Sequence, residues 1–98
     1  MIVILASAAQ RDLRAIARYI AQDNPVRAAT FIAELESAAR GLAKMPQGFP
    51  LVPRYEQYGV RRRSYRGYAL LYRVAGDRIG VVRILGPGQD IDRALNLL

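Results

Sequence analysis

Apolar residues recur every three or four positions through the first half of this chain and crowd into short, nearly unbroken runs in the second, a pattern that predicts helices followed by strands. Ile2, Val3, Ile4, Leu5 and Ala6 make a run of strand length. Ser7 follows, with Gln10 three residues later, and the two fit a capping box: the hydroxyl accepts from a free helical N–H while the amide reaches back to another. Leu13, Ile16, Ala17 and Ile20 then lie on one stripe, with Arg11, Arg14 and Arg18 on the outer side. This predicts a helix ending near Asp23. Asn24 and Pro25 open a second, because Asn caps free N–H groups and Pro at the first helical position loses no hydrogen bond. Its stripe is Ala28, Ile32, Leu35, Ala39 and Leu42, widened by Phe31 and Ala38, and Pro46 stops it. So short a connection forces the two helices into an antiparallel hairpin.

Segment 46–59 contains three prolines and two glycines, which predicts a connection with a short edge strand near Leu51 and Val52. Three strands follow at 60–65, 68–74 and 79–85, turning at Arg66-Gly67 and near Gly76-Asp77, and turns this short make an antiparallel meander. A two-residue turn at Gly76-Asp77 sets Tyr72 opposite Val81 and Leu70 opposite Arg83 on one face, with Ala69, Leu71, Val82 and Ile84 sharing the other. Both faces are then largely apolar, whereas an antiparallel sheet with one wet face alternates. The helical hairpin covers one face only, so the other is expected to form a groove, open in the isolated chain, for a partner. Gly86-Pro87-Gly88 ends the last strand, and a short terminal helix capped by Asp90 is expected to carry Ile91, Leu95 and Leu98 on its apolar edge. The predicted architecture is α+β: an N-terminal strand, an antiparallel two-helix hairpin, a three-stranded antiparallel meander and a short C-terminal helix.

A length of 98 residues, 52% of them hydrophobic, suits one domain spanning 1–98 with a modest core. No apolar run approaches the length that spans a bilayer, and 2–6 is too short for a signal peptide, so a cytoplasmic location without membrane contact is expected. The lack of Cys and His excludes disulfides, thiolate chemistry and ordinary transition-metal sites, and no metal or cofactor is expected. The net charge of +7 is uneven: residues 1–49 hold six basic and four acidic residues, residues 50–98 nine and four. Such a field draws nucleic acid or an acidic protein. Yet 14 of the 15 basic residues are Arg, beside abundant Ala, as a GC-rich coding sequence gives without selection for any contact. Both readings stand on composition alone.

Taken in order, several of these residues resemble the RelE/ParE superfamily of toxins from bacterial type II toxin-antitoxin modules. They are Asp12-Leu13 and Ile16 before Tyr19-Ile20, Pro25 with Ala28 and Phe31, Met45-Pro46 and Gly48, Arg61-Arg62, Gly67-Tyr68, Leu71-Tyr72-Arg73-Val74, and Val82-Arg83-Ile84-Leu85 with Asp90 behind. The resemblance covers nearly the whole chain and rests on order and spacing, not on one motif. It is nearer to the ParE branch. That implies a toxin that binds and poisons DNA gyrase, is neutralised by a ParD-like antitoxin in a hetero-oligomer, and meets DNA only through that antitoxin. The alternative is the RelE-like branch, which cleaves messenger RNA on the ribosome. Its members usually carry Arg directly after the Tyr of the Gly-Tyr strand and basic or aromatic residues, often a His, after the last strand. Here those places hold Ala69 and Gly86-Pro87-Gly88.

Cleaving RNA through its own 2′-hydroxyl needs a base, an acid and cations for the phosphate. Arg61, Arg62, Arg63 and Arg83 supply cations. With no His and one Lys, Lys44, the base and acid are left to Tyr, to acidic residues or to a strongly perturbed Arg, and Ser7, Ser37 and Ser64 lack an activating His. No catalytic residue is assigned, and a binding toxin is expected in preference to an enzyme. The candidates for contact with target or antitoxin are Arg61, Arg62, Arg63, Tyr65, Leu71, Arg73, Arg83 and Arg93. At most two of the three Arg at 61–63 point the same way from a strand, either as a basic rim or as charges that protect a sheet edge. Tyr65, Tyr68 and Tyr72 are expected to pack on the sheet with polar tips. Arg83, inside an apolar strand, needs either an acidic partner or exposure on the functional face.

Overall fold

Strand β1 (Ile2–Leu5) runs almost directly into helix α1 (Ser7–Ala21), and α2 (Pro25–Arg40) returns to a sheet completed by β2 (Arg61–Tyr65), β3 (Tyr68–Ala75) and β4 (Arg78–Leu85). A five-residue helix, α3 (Ile91–Leu95), follows. The computed structural model describes residues 1–96, so the expected place of Leu98 on the last helix lies outside the described residues. The sheet order is β1-β4-β3-β2. Strands β2, β3 and β4 form the expected antiparallel meander, and β1 joins β4 in parallel, with Leu5 beside Val81.

The capping box at Ser7 does not form. Ala6 takes the cap position because its N–H is bonded to the Val81 carbonyl at 2.9 Å, which holds the chain in the sheet up to the first helical residue. Ser7 is already helical, and Gln10 Nε2 donates instead to the Leu5 carbonyl at 3.0 Å. Helix α1 stops at Ala21, short of Asp23. Asn24 caps α2 as expected, its Oδ1 accepting from the Arg27 N–H at 3.0 Å with Pro25 first in the helix. The buried stripe of α2 is Ala28, Phe31, Leu35, Ala38 and Ala39, while Ile32 is only partly buried. A 3-10 turn, Gly41–Lys44, then leads out of the helix before Pro46. At the β2–β3 turn Arg66 and Gly67 both have positive φ, 47° and 83°, the paired left-handed residues whose twist matches that of the strands they join.

From the Gly76-Asp77 turn the β3–β4 register runs as expected to Tyr72 opposite Val81. A β-bulge then leaves Val82 without an opposite residue, so that Leu71 faces Arg83, Leu70 faces Ile84 and Ala69 faces Leu85. This corrects the expected pairing of Leu70 with Arg83. The bulge turns Arg83 to the face away from the helices and Ile84 towards them, where Leu70, Tyr72, Ile79, Val81 and Ile84 pack on Leu13, Ile16, Phe31, Leu35 and Leu42.

The opposite face is closed by the chain itself, which corrects the expectation of an open partner groove. Val52, Tyr55, Val60, Ala69, Leu71 and Leu85 form a second core, none more than 5% exposed, with Ile91, Ala94 and Leu95 of α3 packed against it. The covering segment is anchored by a bridge between Leu51 and Arg61, by the Val52 N–H on the Val60 carbonyl at 2.8 Å and by the Arg62 N–H on the Pro50 carbonyl at 2.9 Å. What remains apolar and open on this face is small: Ile2 and Ile4 of the edge strand β1, 53% and 45% exposed.

Candidate functional site

The bulge at Val82 leaves Arg83 on the α3 side of β4, and its guanidinium meets Asp12 of α1 beside the strand, where Asp12 also takes the Ile84 N–H. Arg83 Nε and Nη2 lie 2.8 and 2.9 Å from Asp12 Oδ2 and Oδ1, a two-pronged pair. Asp12 Oδ2 also accepts from the Ile84 N–H at 2.8 Å, and Arg83 Nη1 donates to the Ala94 carbonyl at 3.1 Å. One ion pair thus ties α1, β4 and α3 together. Of the two fates open to Arg83, the fold takes the acidic partner, and the hydrogen bond to Asp12 holds the guanidinium still further above the usual Arg range. Asp12 was not among the candidates, though its position carried a signal. It lies one turn before Ile16 and three residues after Ala9, both buried, where an unpaired carboxylate would be costly.

On β2 the three Arg alternate as a strand requires. Arg61 and Arg63 turn towards the helical layer and are used there: Arg61 Nη1 donates to the Phe49 carbonyl at 2.7 Å, and Arg63 Nη1 to the Ala38 carbonyl at 2.6 Å, near the end of α2. Arg62, pointing away, is exposed, and among the described residues its side chain makes one bond, 3.3 Å from Nε to Ser64 Oγ. Two Tyr hydroxyls are likewise committed: Tyr65 donates to Glu34 Oε1 at 2.6 Å and Tyr72 to the Pro46 carbonyl at 2.8 Å. Burial pushes the Tyr72 phenol up.

Glu34 is a hub that the sequence reading missed. It takes bonds from Arg27 and Tyr65, and Arg66 Nε lies 3.4 Å away. The Arg27 hydrogen bond, then that of Tyr65, pulls its carboxyl from 4.5 down to about 2. A lowered folded-state pKa contributes stability that is complete above the unfolded value of 4.5 and is lost as pH falls from there towards 2. Glu34→Gln is therefore expected to flatten the acid limb of the stability profile in that window. Urea unfolding at stepped pH checks this, and parallel profiles for variant and parent would contradict it.

Asp92 of α3 forms a second clasp, accepting from the Tyr55 hydroxyl and pairing with Arg54. These bonds, that of Tyr55 first, lower the Asp92 carboxyl, and Asp92 in turn pushes the Tyr55 phenol up to about 12. Leu71, expected at a contact surface, is fully buried in the second core and offers nothing to a partner. Arg73 and Arg93 are exposed and form no ion pair among the described residues. The register sets Arg62, Arg73 and Arg78 on the same face as Ile2 and Ile4, with Gly80 between Arg73 and Ile4. A basic, partly apolar surface therefore lies beside the area that α3 covers. Among the described residues no group of His, Cys, Asp and Glu could hold a metal ion, and no helix is long and apolar enough to cross a membrane.

A four-stranded sheet backed by an N-terminal helical hairpin and closed by a small C-terminal helix is the fold of toxins of the RelE/ParE type. The chromosomal ParDE toxin-antitoxin system from P. aeruginosa matches with a TM-score of 0.73 and 22% identity, over 89% of this chain and 96% of the matched chain. The RelBE2 toxin-antitoxin complex from Mycobacterium tuberculosis matches with a TM-score of 0.66 and 24% identity, over 87% and 95%. A search of curated proteins found no match. The family model described as the ParE toxin of the type II toxin-antitoxin system, parDE, matches residues 3–91. The chain belongs to the ParE toxin family and is a type II toxin of the RelE/ParE superfamily.

Proposed function

We propose that this toxin forms one domain over 1–98, works in the cytoplasm by binding DNA gyrase and stabilising its cleaved-DNA state, and is neutralised by a ParD-like antitoxin. DNA is then contacted only through that antitoxin. The observation that carries the reading is the fate of Arg83. In an RNA-cutting site this strand cation would face the scissile phosphate, but here it is spent on Asp12 and on the Ala94 carbonyl. The resolved carboxyl and phenol shifts support it, since Glu34 and Asp92 move down and Tyr55 and Tyr72 move up, away from the range a general acid or base needs at neutral pH. The surface left for a target is the face with Arg62, Arg73 and Arg78, flanked by Ile2 and Ile4, and Arg93 on α3 adds a cation.

The competing reading is a ribosome-dependent ribonuclease, in keeping with the likeness to the RelBE2 complex. Induction in growing bacteria separates the two. The gyrase reading expects a DNA damage response and growth arrest, both relieved by co-expression of the antitoxin, with translated messages intact. Codon-specific cuts in those messages without DNA damage would reverse the assignment. Replacing Arg73 and Arg78 together with Gln is expected to reduce growth arrest by about tenfold or more while leaving the thermal midpoint unchanged, because neither side chain forms an ion pair among the described residues and each exposed charge contributes little to stability.

A further inference from the structure

Beside the C-terminal end of α2 lies a cavity of about 440 Å³ that none of the roles above uses. Phe49 and Met45 give it an apolar wall, Ala38 and Gly41 also line it, and Arg63 and Lys44 bring positive charge to it. Arg63 is fixed before anything binds: Nη1 donates to the Ala38 carbonyl at 2.6 Å, and the guanidinium lies 5.1 Å from the centroid of the Phe49 ring. Gly41 leaves room for this placement: a Cβ there would stand 3.0 Å from Arg63 Nη1 and push the guanidinium by a few tenths of an ångström. One bond to Ala38 leaves most of the five-donor guanidinium fork to the cavity. Lys44 is exposed and forms no ion pair among the described residues. The one carboxylate on the lining, Glu34, is already shared by Arg27, Arg66 and Tyr65.

The cavity is thus a cationic receptor with one apolar wall and a pre-set guanidinium, so Arg63 loses little side-chain entropy when a carboxylate arrives. Strand β2 is a sheet edge, and past Arg62, whose N–H bonds to Pro50, no described strand pairs with its outer side. An extended segment has backbone groups to meet there. The terminal carbonyls of α2 repel a doubly charged anion more than a singly charged one, and a single carboxylate next to an apolar group matches the Arg63 and Lys44 charges and the wall. We propose that this cavity receives an Asp or Glu side chain of a protein partner, carried on an extended segment along the edge of β2 at 63–65, with a neighbouring apolar side chain against Phe49 and Met45. The site lies on the helical side of the sheet, apart from the Arg73 and Arg78 surface, and does not depend on gyrase being the target.

The test is NMR titration of the full chain, labelled with nitrogen-15, using the peptide acetyl-Leu-Glu-Val-Glu-Leu-amide, its version with Gln at both Glu positions, and inorganic phosphate. The Glu peptide is expected to give saturable shifts at the Gly41 and Ser64 amides and at the Arg63 Nε–H. The Gln peptide should bind about tenfold more weakly, the scale of losing a charge-assisted hydrogen bond. Lys44→Gln, which removes no ion pair among the described residues, should weaken the Glu peptide several-fold, and Arg63→Lys, which keeps the charge but loses the fork, should weaken it further. Equal binding of the two peptides, shifts confined to the Arg73 and Arg78 face, unchanged affinity in Lys44→Gln, or phosphate binding as tightly as the Glu peptide at these resonances would each overturn the proposal. Growth arrest and gyrase cleavage are read separately, so failure here leaves the functional reading standing.

Discussion

Asp12→Ala is expected to lower the unfolding free energy by about 3–5 kcal/mol, the cost of leaving a largely buried charge without its partner. The variant strips Arg83 of both carboxylate oxygens and the Ile84 N–H of its acceptor. With side-chain exposures of 13% for Asp12 and 25% for Arg83, water recovers little of this loss. A domain of this size holds about 5–15 kcal/mol in all, so the variant should sit near its unfolding midpoint in mild urea. Asp12→Ala combined with Arg83→Met is expected to regain much of the deficit, because the orphaned charge goes with its partner and a methionine of similar reach can fill the space. Urea unfolding of the single and double variants measures this. A double variant as unstable as the single one would mean that the loss comes from packing and not from the stranded guanidinium.

Leu71→Ala is expected to cost about 2–5 kcal/mol, as for other fully buried leucines whose removal leaves a cavity. The figure distinguishes two pictures of the sheet. If the face carrying Leu71 were an open groove awaiting a partner, truncation would remove exposed surface and change stability little. In the fold described here Leu71 is fully buried in a core that also holds Val52, Tyr55, Val60 and Leu85. A loss below about 1 kcal/mol would favour the open groove, since surface substitutions mostly fall within about half of that. The same core makes the free toxin less dependent on its antitoxin for solubility than an exposed apolar face would.

The helices were legible because they obey a period, and α2 also carries its own cap: Asn24-Pro25 opens it by local chemistry that needs no knowledge of the rest of the chain. The strands and both tight turns were legible for the same reason. The surplus of apolar residues in β3 and β4 was also visible, but what covers them was not. Val52 and Tyr55 sit in a Pro- and Gly-punctuated segment without periodicity, and α3 is too short to announce its inner face. The bulge at Val82 has no residue signature, yet it decides which way Arg83 points. Its partner Asp12 lies 71 positions away, and a single sequence carries no term that links the two. Which of the contact candidates stay exposed is settled by such long-range events. Leu71, a contact candidate, is buried; Arg61 is tied to the Phe49 carbonyl, one donor of Arg63 to the Ala38 carbonyl, and Tyr65 packs with its polar tip on Glu34 as expected. Arg62, Arg73 and Arg93 remain exposed.

The most direct test of the toxin's action is incubation of the purified chain with DNA gyrase, ATP and a closed circular plasmid, followed by denaturation and electrophoresis. The account predicts linear DNA with gyrase covalently attached, in amounts that rise with toxin and disappear when the ParD-like antitoxin is added. Intact plasmid at saturating toxin, together with cutting of messenger RNA on translating ribosomes by the same preparation, would contradict it.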